Sequence, residues 1–379
     1  MKKIGFLLSL LAIGNIFLRA QGNHLPLDDR SYHILDRLEI KTGLPTPYLS
    51  SVKYYTRGEA VRFALKIDTT QGLSLSGQDR LDLYYLFKNN NEWLFLEGYP
   101  TPLTGPRPDG LPDSLSRIEA SVRSNRYIES RKPLLGIFYR TPANFLEVNE
   151  AAFHLRLNPI INFKYGLAGE GDPDYYYNRR GVEMRGGFDD RIYFYTSILE
   201  TQAQFPDYVR RRVDRTGALP GEGLIKSFND DFFGIDSGYD FLNGQGYLGF
   251  NISAHLGLQF GYGRNFLGNG YRSVLLSDFA NNYLYLKLNW QVWKLHYQNI
   301  FAELSVESSR SRRGDELIGK KYMAAHYLGL DILPNLSIGI YEAVIFSRNN
   351  QFELQYLVPF MLYRTIEQAV GSPDNVLLG

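Results

Sequence analysis

Cysteine is absent from the 379 residues. Without thiols there are no disulfides, no cysteine-ligated metal and no cysteine to carry the lipid of a lipoprotein anchor. An excess of either charge is absent too: Lys and Arg number 41, Asp and Glu 40. Such a balance gives no electrostatic case for nucleic acid as a partner. The six histidines (His24, His33, His154, His255, His296, His326) are scattered, with no HExxH and no other metal spacing. No nucleophile elbow or triad follows from the order of Ser, His and Asp. The expectation is a protein without catalytic residues, metal or cofactor. After residue 20 the sequence also lacks any apolar run near the about 20 residues that a helix needs to cross a bilayer.

What is present begins at the N-terminus. Lys2 and Lys3 precede an apolar run from Ile4 to Leu18, and Arg19-Ala20-Gln21 follows. A basic start, a short apolar core and a small residue before a polar one describe a secretory signal peptide, with cleavage expected after Ala20. Removing residues 1–20 takes away Lys2, Lys3 and Arg19, which leaves 38 basic against 40 acidic residues and a net charge of −2. Tyr (28), Phe (24) and Gly (36) are abundant, yet mean hydropathy is only −0.26. A barrel wall has this signature, because alternating apolar and polar residues cancel in an average. A soluble β-sandwich shares part of it.

The sequence past the leader divides near residue 145. In 21–144, Asp28–Thr42 reads as a helix with Tyr32, Leu35 and Leu38 on one face and Gly43 as its stop. Glu59–Ile67 and Asp79–Lys88 read the same way. Five prolines between Tyr99 and Pro112 mark a linker. From Phe145 onward the period becomes two and no helix is expected. Between Tyr247 and Gly263 every even position from Leu248 to Tyr262 is apolar, while the odd ones after Tyr247 are small or polar, with a turn at Ser253-Ala254-His255. Leu284 to Trp290 and Trp293 to Tyr297 alternate around a turn near Gln291. Leu328 to Ile332 and Leu336 to Ile340 alternate around Pro334-Asn335. Short turns alternating with long polar loops, such as Gln204–Lys226 and Glu307–Lys321, fit an outer-membrane barrel. Aromatics at strand ends (Tyr175 to Tyr177, Tyr283, Trp290, Trp293) fit an interfacial girdle.

GRNFLGNGYRSVLLSDFANNYLYLKL, from Gly263, resembles the Wzi-like capsule-assembly proteins of the outer membrane, and among them the Bacteroidota branch that includes proteins associated with gliding motility. HYLGLDILPNLSIGIYEAVIF from His326, FELQYLVPFMLYRTIEQAVGSPDNVLLG from Phe352 and SYHILDRLEIKTGLP from Ser31 extend the resemblance. It implies an all-β transmembrane antiparallel barrel with a small N-terminal helical region. It also implies a lectin-like, non-catalytic role in binding surface or capsular polysaccharide for capsule assembly or attachment. A part in a motility or adhesion apparatus and a diffusion channel are the alternatives. One departure stands out: the sequence ends at Asn375–Gly379, which reads as the start of a strand without a final aromatic. With roughly ten to twelve candidate strands, the 145–379 barrel is expected to be incomplete and the protein truncated at its C-terminus, a short barrel being the alternative.

The glycine-rich GYGRNFLGNGYRS, from Gly261, is not a phosphate loop, because that fingerprint requires a βαβ unit. Within and after it, Arg264, Asn265, Asn269, Arg272 and Asp278 are candidates for hydrogen-bonding polysaccharide, and arginine's planar fork suits carboxylates. Asn229-Asp230-Asp231 with Asp236 and Asp240, and Asp172 with Asp174, read as solvated acidic loops without EF-hand spacing. His255, His296 and His326 are expected at the lumen or in a turn. Glu342 shares parity with Ile338, Ile340 and Val344, and a carboxylate on a lipid-facing side would be costly. It should be turned inward by a bulge or paired with a Lys or Arg.

Overall fold

The computed structural model describes residues 22–96, 144–150, 152–169, 173–189, 191–219, 221–306, 319–333, 336–347, 351–371 and 375–379. The leader, the proline-rich stretch, Asp172, Pro334-Asn335 and most of Glu307–Lys321 lie outside them.

Four helices come first: α1 (Ser31–Thr42), α2 (Arg57–Thr69), α3 (Gly77–Asn89) and α4 (Asn91–Leu96). Gly43 ends α1 in the left-handed region at φ 63°, its N–H returning to the Glu39 carbonyl. Thr56 with Glu59 and Ser76 with Asp79 form reciprocal capping boxes that start α2 and α3. Leu35, Leu38, Val61, Phe63, Leu83 and Phe87 meet in the helical core.

The strands follow: β1 (Leu146–Glu150), β2 (Phe153–Gly166), β3 (Tyr175–Phe188), β4 (Ile192–Gln204), β5 (Ala218–Leu219), β6 (Gly223–Leu224), β7 (Lys226–Asp230), β8 (Ile235–Asn251), β9 (Leu256–Gly263), β10 (Tyr283–Val292), β11 (Leu295–Ser305), β12 (Lys320–Leu333), β13 (Leu336–Phe346) and β14 (Asn375–Leu378). Twelve form one antiparallel sheet in the order β1-β2-β3-β4-β8-β9-β10-β11-β12-β13-β14, with β7 also on β8, and β5 pairs with β6. Among the described residues β1 and β14 stand at opposite ends of that order.

Two helices interrupt the strands, contrary to expectation. α5 (Asp207–Thr216) occupies the stretch read as a loop, and α6 (Tyr363–Val370) follows a 3-10 turn at Leu354–Leu357. The hairpin turn expected near Gln291 falls instead at Trp293-Lys294, with Trp293 at φ 55°.

The connections sort by sheet edge. At one edge the intervals are 151–152, 189–191, 252–255, 293–294 and 334–335. At the other they are 167–174, 205–234, 264–282, 306–319 and 347–374. Every connection at the first edge is short and every one at the second is long.

Register assigns side chains to two unlike faces. Leu248, Phe260 and Leu286 form one cross-strand row, which Phe301 continues. On that apolar face Ile161 is 69% exposed, Leu242 65%, Ile340 60% and Ile198 53%. The opposite, polar face buries Arg185, Tyr195, Gln259, Lys287 and Tyr327. Soluble proteins distribute residues the other way round.

The N-terminal helices cover this polar face. The Asn23 amide donates to the Gly186 carbonyl at 3.1 Å, the His24 N–H to the Tyr247 hydroxyl at 2.9 Å, and the Ser51 hydroxyl bonds that of Tyr327 at 2.8 Å. Gly329 lets Leu49 lie directly on β12, where a Cβ would strike its side chain. His24 is enclosed by the rings of Tyr54, Tyr193 and Tyr247. Burial, then Lys287 and Arg57, pushes its pKa well below the ordinary value.

The apolar face carries its own cover. Tyr356, Tyr363 and Ile366 pack on Phe301, Tyr322, Ala324 and Val344. Glu342 therefore stays on this face, and no bulge or Lys/Arg pairing is needed. Its carboxylate accepts from the Tyr363 N–H (2.8 Å) and the Arg364 N–H (3.0 Å), the first amides of α6, and lies 3.1 Å from His326 Nε2. His326 is likewise on the apolar face, neither in a lumen nor in a turn; it is Glu342's cross-strand partner. His255 is in the expected turn.

Candidate functional site

At the long-connection edge the polar face opens into a cleft of about 750 Å³. Tyr175 and Tyr177 project from β3, since odd positions of that strand share the face of Arg185. Phe241 projects from β8, Tyr208 and Arg212 come from α5, and Arg272 and Phe279 from the connection between β9 and β10. Tyr175 and Tyr177 lie nearly parallel, 10° apart, and the Arg179 guanidinium sits 5.2 Å from the Tyr177 ring centre. Arg272 lies 4.9 Å from the Phe279 ring and 5.1 Å from that of Tyr271.

Glu222 gathers the polar groups. Its carboxylate takes Arg179 at 3.0 Å and the Asn243 amide at 2.6 Å, and lies 3.8 Å from Arg264. The flanking Gly221 and Gly223 adopt φ 81° and 91°, a backbone path that L side chains resist. Arg179 Nε also donates to Thr201 Oγ1 at 3.0 Å, and Arg264 Nε to Asn282 Oδ1 at 3.1 Å. Asn282 in turn donates to Asn243 Oδ1 and to the Gly244 carbonyl. That carbonyl lies between the stretches of β8 paired to β7 and to β9, so an amide group from Asn282 fills the gap in the ladder there. Asp28 lies near enough for Arg179 and Arg264 to act on its carboxyl; desolvation by the surrounding protein raises its pKa and the two arginines oppose the rise.

The five expected ligand residues are divided. Arg264 and Arg272 reach the cleft region. Asp278 lies 3.8 Å from Arg272. Asn265 is buried away from it: its N–H donates to the Tyr283 hydroxyl and its side-chain oxygen accepts from Lys287. Asn269 is exposed on the tip of the connection. That connection folds back onto the helical region, where the Gly268 N–H donates to the Ser51 carbonyl at 2.7 Å. Tyr175 and Tyr177, read as girdle residues, face the cleft instead, and Tyr283 is buried on the polar face. Arg179, Glu222, Asn243 and Asn282 escaped sequence reading, because they lie on four separate elements joined only by the fold.

The acidic stretch at 229–231 closes β7 and opens the turn after it, with Asp230 accepting from the Phe232 and Phe233 N–H groups. Among the described residues no three His, Asp or Glu side chains gather as metal ligands, and no helix is long and apolar enough to cross a membrane. No protein-family model, no curated protein and no solved structure matches this protein.

Proposed function

We propose that this protein is a non-catalytic outer-membrane β-barrel of the Wzi-like kind, which binds surface polysaccharide and supports capsule assembly or attachment. The cleft carries the reading. Parallel tyrosine rings beside arginines offer sugars both flat apolar surfaces and charged hydrogen-bond donors. Membrane placement draws support from the two faces. Ile161, Ile198 and Leu242 stand exposed on one face of the sheet, and clustered exposed apolar side chains of this kind mark a surface that meets something other than water. Short connections at one edge and long ones at the other follow the pattern of outer-membrane barrels. On this reading the cleft, at the long-connection edge, belongs to the cell exterior, and the short turns belong to the periplasmic side. The diffusion-channel alternative is disfavoured by the helices packed over the polar face.

Pull-down with purified cell-surface polysaccharide tests the reading directly. Retention of the detergent-solubilised protein is expected, and its absence would overturn polysaccharide binding. Cells lacking the gene should lose retained capsule. A normal capsule with lost surface spreading would replace the capsule role with a motility one. Steady conductance in planar bilayers would favour a channel.

A further inference from the structure

We propose that Glu222 is an internal occupant of an anion subsite, which the carboxylate of an acidic saccharide displaces when it enters the cleft. The inference rests on the polysaccharide-binding reading and adds a ligand class and a gating contact to it.

Glu222 already does what such a ligand would do. It places one carboxylate against Arg179 at 3.0 Å and the Asn243 amide at 2.6 Å, with Arg264 at 3.8 Å. The last distance is loose, so the subsite is not closed around this occupant. The arginines do not depend on it for their orientation. Arg179 is held independently by Thr201 and the Tyr177 ring, and Arg264 by Asn282. Removing Glu222 would leave two aimed guanidinium groups, the arrangement that recognises a carboxylate. Glu222 sits in the turn of the β5–β6 pair, between two glycines at positive φ. Leu219 anchors that pair in the cluster of Val213, Tyr239 and Phe241, so the exchange asks only the Glu222 side chain to move. Two further cations line the opening, Arg212 and Arg272, the latter 3.8 Å from Asp278. Asp28 is the other carboxylate felt by Arg179 and Arg264.

Exchange of one carboxylate for another preserves the ion pairs, so the affinity for an acidic glycan is a difference between two similar contacts. Glu222→Gln removes the competitor. The full-length variant should bind polygalacturonate oligomers about tenfold tighter than the unaltered protein. That gain should shrink as salt is added, and binding of neutral dextran oligomers should not change. Glu222→Asp keeps the charge but withdraws it by one methylene, so a smaller gain in the same direction is expected. Equal or weaker polygalacturonate binding by Glu222→Gln would overturn the proposal, as would parallel changes for acidic and neutral probes, which mark a structural contact. If the unaltered protein and Glu222→Gln both bind dextran and neither binds polygalacturonate, gating falls while polysaccharide binding stands. If neither retains any glycan, both fall.

Discussion

The Glu92 carboxylate on α4 lies 2.8 Å from the Arg185 guanidinium on β3, and the two side chains are 1% and 3% exposed. This ion pair pins the helical region to the polar face of the sheet. Burial by itself would raise the Glu92 pKa, but Arg185, Arg156 and Arg57 together hold it well below the ordinary carboxylate range. Arg185 also donates to the Asn89 carbonyl at 3.0 Å and pairs with Glu183 at 3.2 Å. Removing Glu92 leaves the buried Arg185 with only the more exposed Glu183 to offset its charge. Glu92→Ala should therefore cost about 3–5 kcal/mol, read as a lower urea midpoint of the refolded protein. The double variant Glu92→Leu/Arg185→Met should recover most of that loss. A double variant as unstable as Glu92→Ala would mean that the pair contributes more than an avoided orphan charge.

Asp79 should contribute to the acid sensitivity of the helical region. Its side chain is inaccessible to solvent, and it takes Arg37 at 2.6 Å, Lys41, and the Ser76 hydroxyl and N–H. Burial raises its pKa, yet Lys41, Arg37 and Ser76 outweigh that and set it below the ordinary range. A depressed folded-state pKa stabilises above the unfolded value of about 3.9. That contribution is lost as pH falls through the folded value. Asp79→Asn should lose about 2 kcal/mol at pH 7, and the difference from the unaltered protein should narrow below about pH 4. Unfolding followed by circular dichroism at several pH values checks this, and a gap independent of pH would assign the loss to packing.

Glu342 makes a prediction about the segment that covers the apolar face. Its carboxylate satisfies the first two N–H groups of α6, and Tyr363 stacks on His326 at 4.5 Å between ring centres. Pro359 adds a carbonyl that accepts from Asn299 at 3.1 Å and from the Tyr297 hydroxyl. Glu342→Ala leaves these amides and the imidazole without their acceptor, at about 1–3 kcal/mol for each buried group. Residues 351–371 should then become sensitive to protease in micelles, while Glu342→Gln, with one acceptor oxygen, should be cut more slowly. Equal resistance of both variants would mean that Tyr356, Tyr363 and Ile366 suffice to hold the segment.

These sites explain how far the sequence could be read. Period two survives any tertiary context, so the parity of Leu248, Phe260 and Leu286 was legible without a structure. The first three helices were legible because each shows a core stripe with a cap or stop. α5 was not, since its ten residues include four arginines and bury only Val213. Glu342 was recognised as anomalous, but two of its three partners are backbone amides, which leave no mark in a sequence, and the third, His326, lies on another strand. In the cleft, Arg264 and Arg272 stood out within a glycine-rich stretch. Glu222 sat in a polar loop like any surface residue, and only the meeting of β3, β8 and two connections gives it a role.

Ile198 offers the sharpest test of which medium the apolar face meets. It lies midway along β4, 53% exposed, opposite Val182 and Gly244 and away from the segment that covers Glu342. An arginine there would meet no neighbour that it must displace. If the face lies in hydrocarbon near mid-bilayer, Ile198→Arg should cost about 2–4 kcal/mol in folding into lipid vesicles. The same substitution at Leu224, 59% exposed in the long connection between β4 and β8, should cost little, because it lies outside the proposed wall. If the face meets water, the difference between the two disappears. Ile198→Arg would then be neutral for stability and would improve solubility without detergent, by breaking an apolar patch. Urea titrations of both variants in vesicles and in detergent-free buffer separate the outcomes, and an unchanged midpoint for Ile198→Arg in vesicles would overturn the barrel reading of this face.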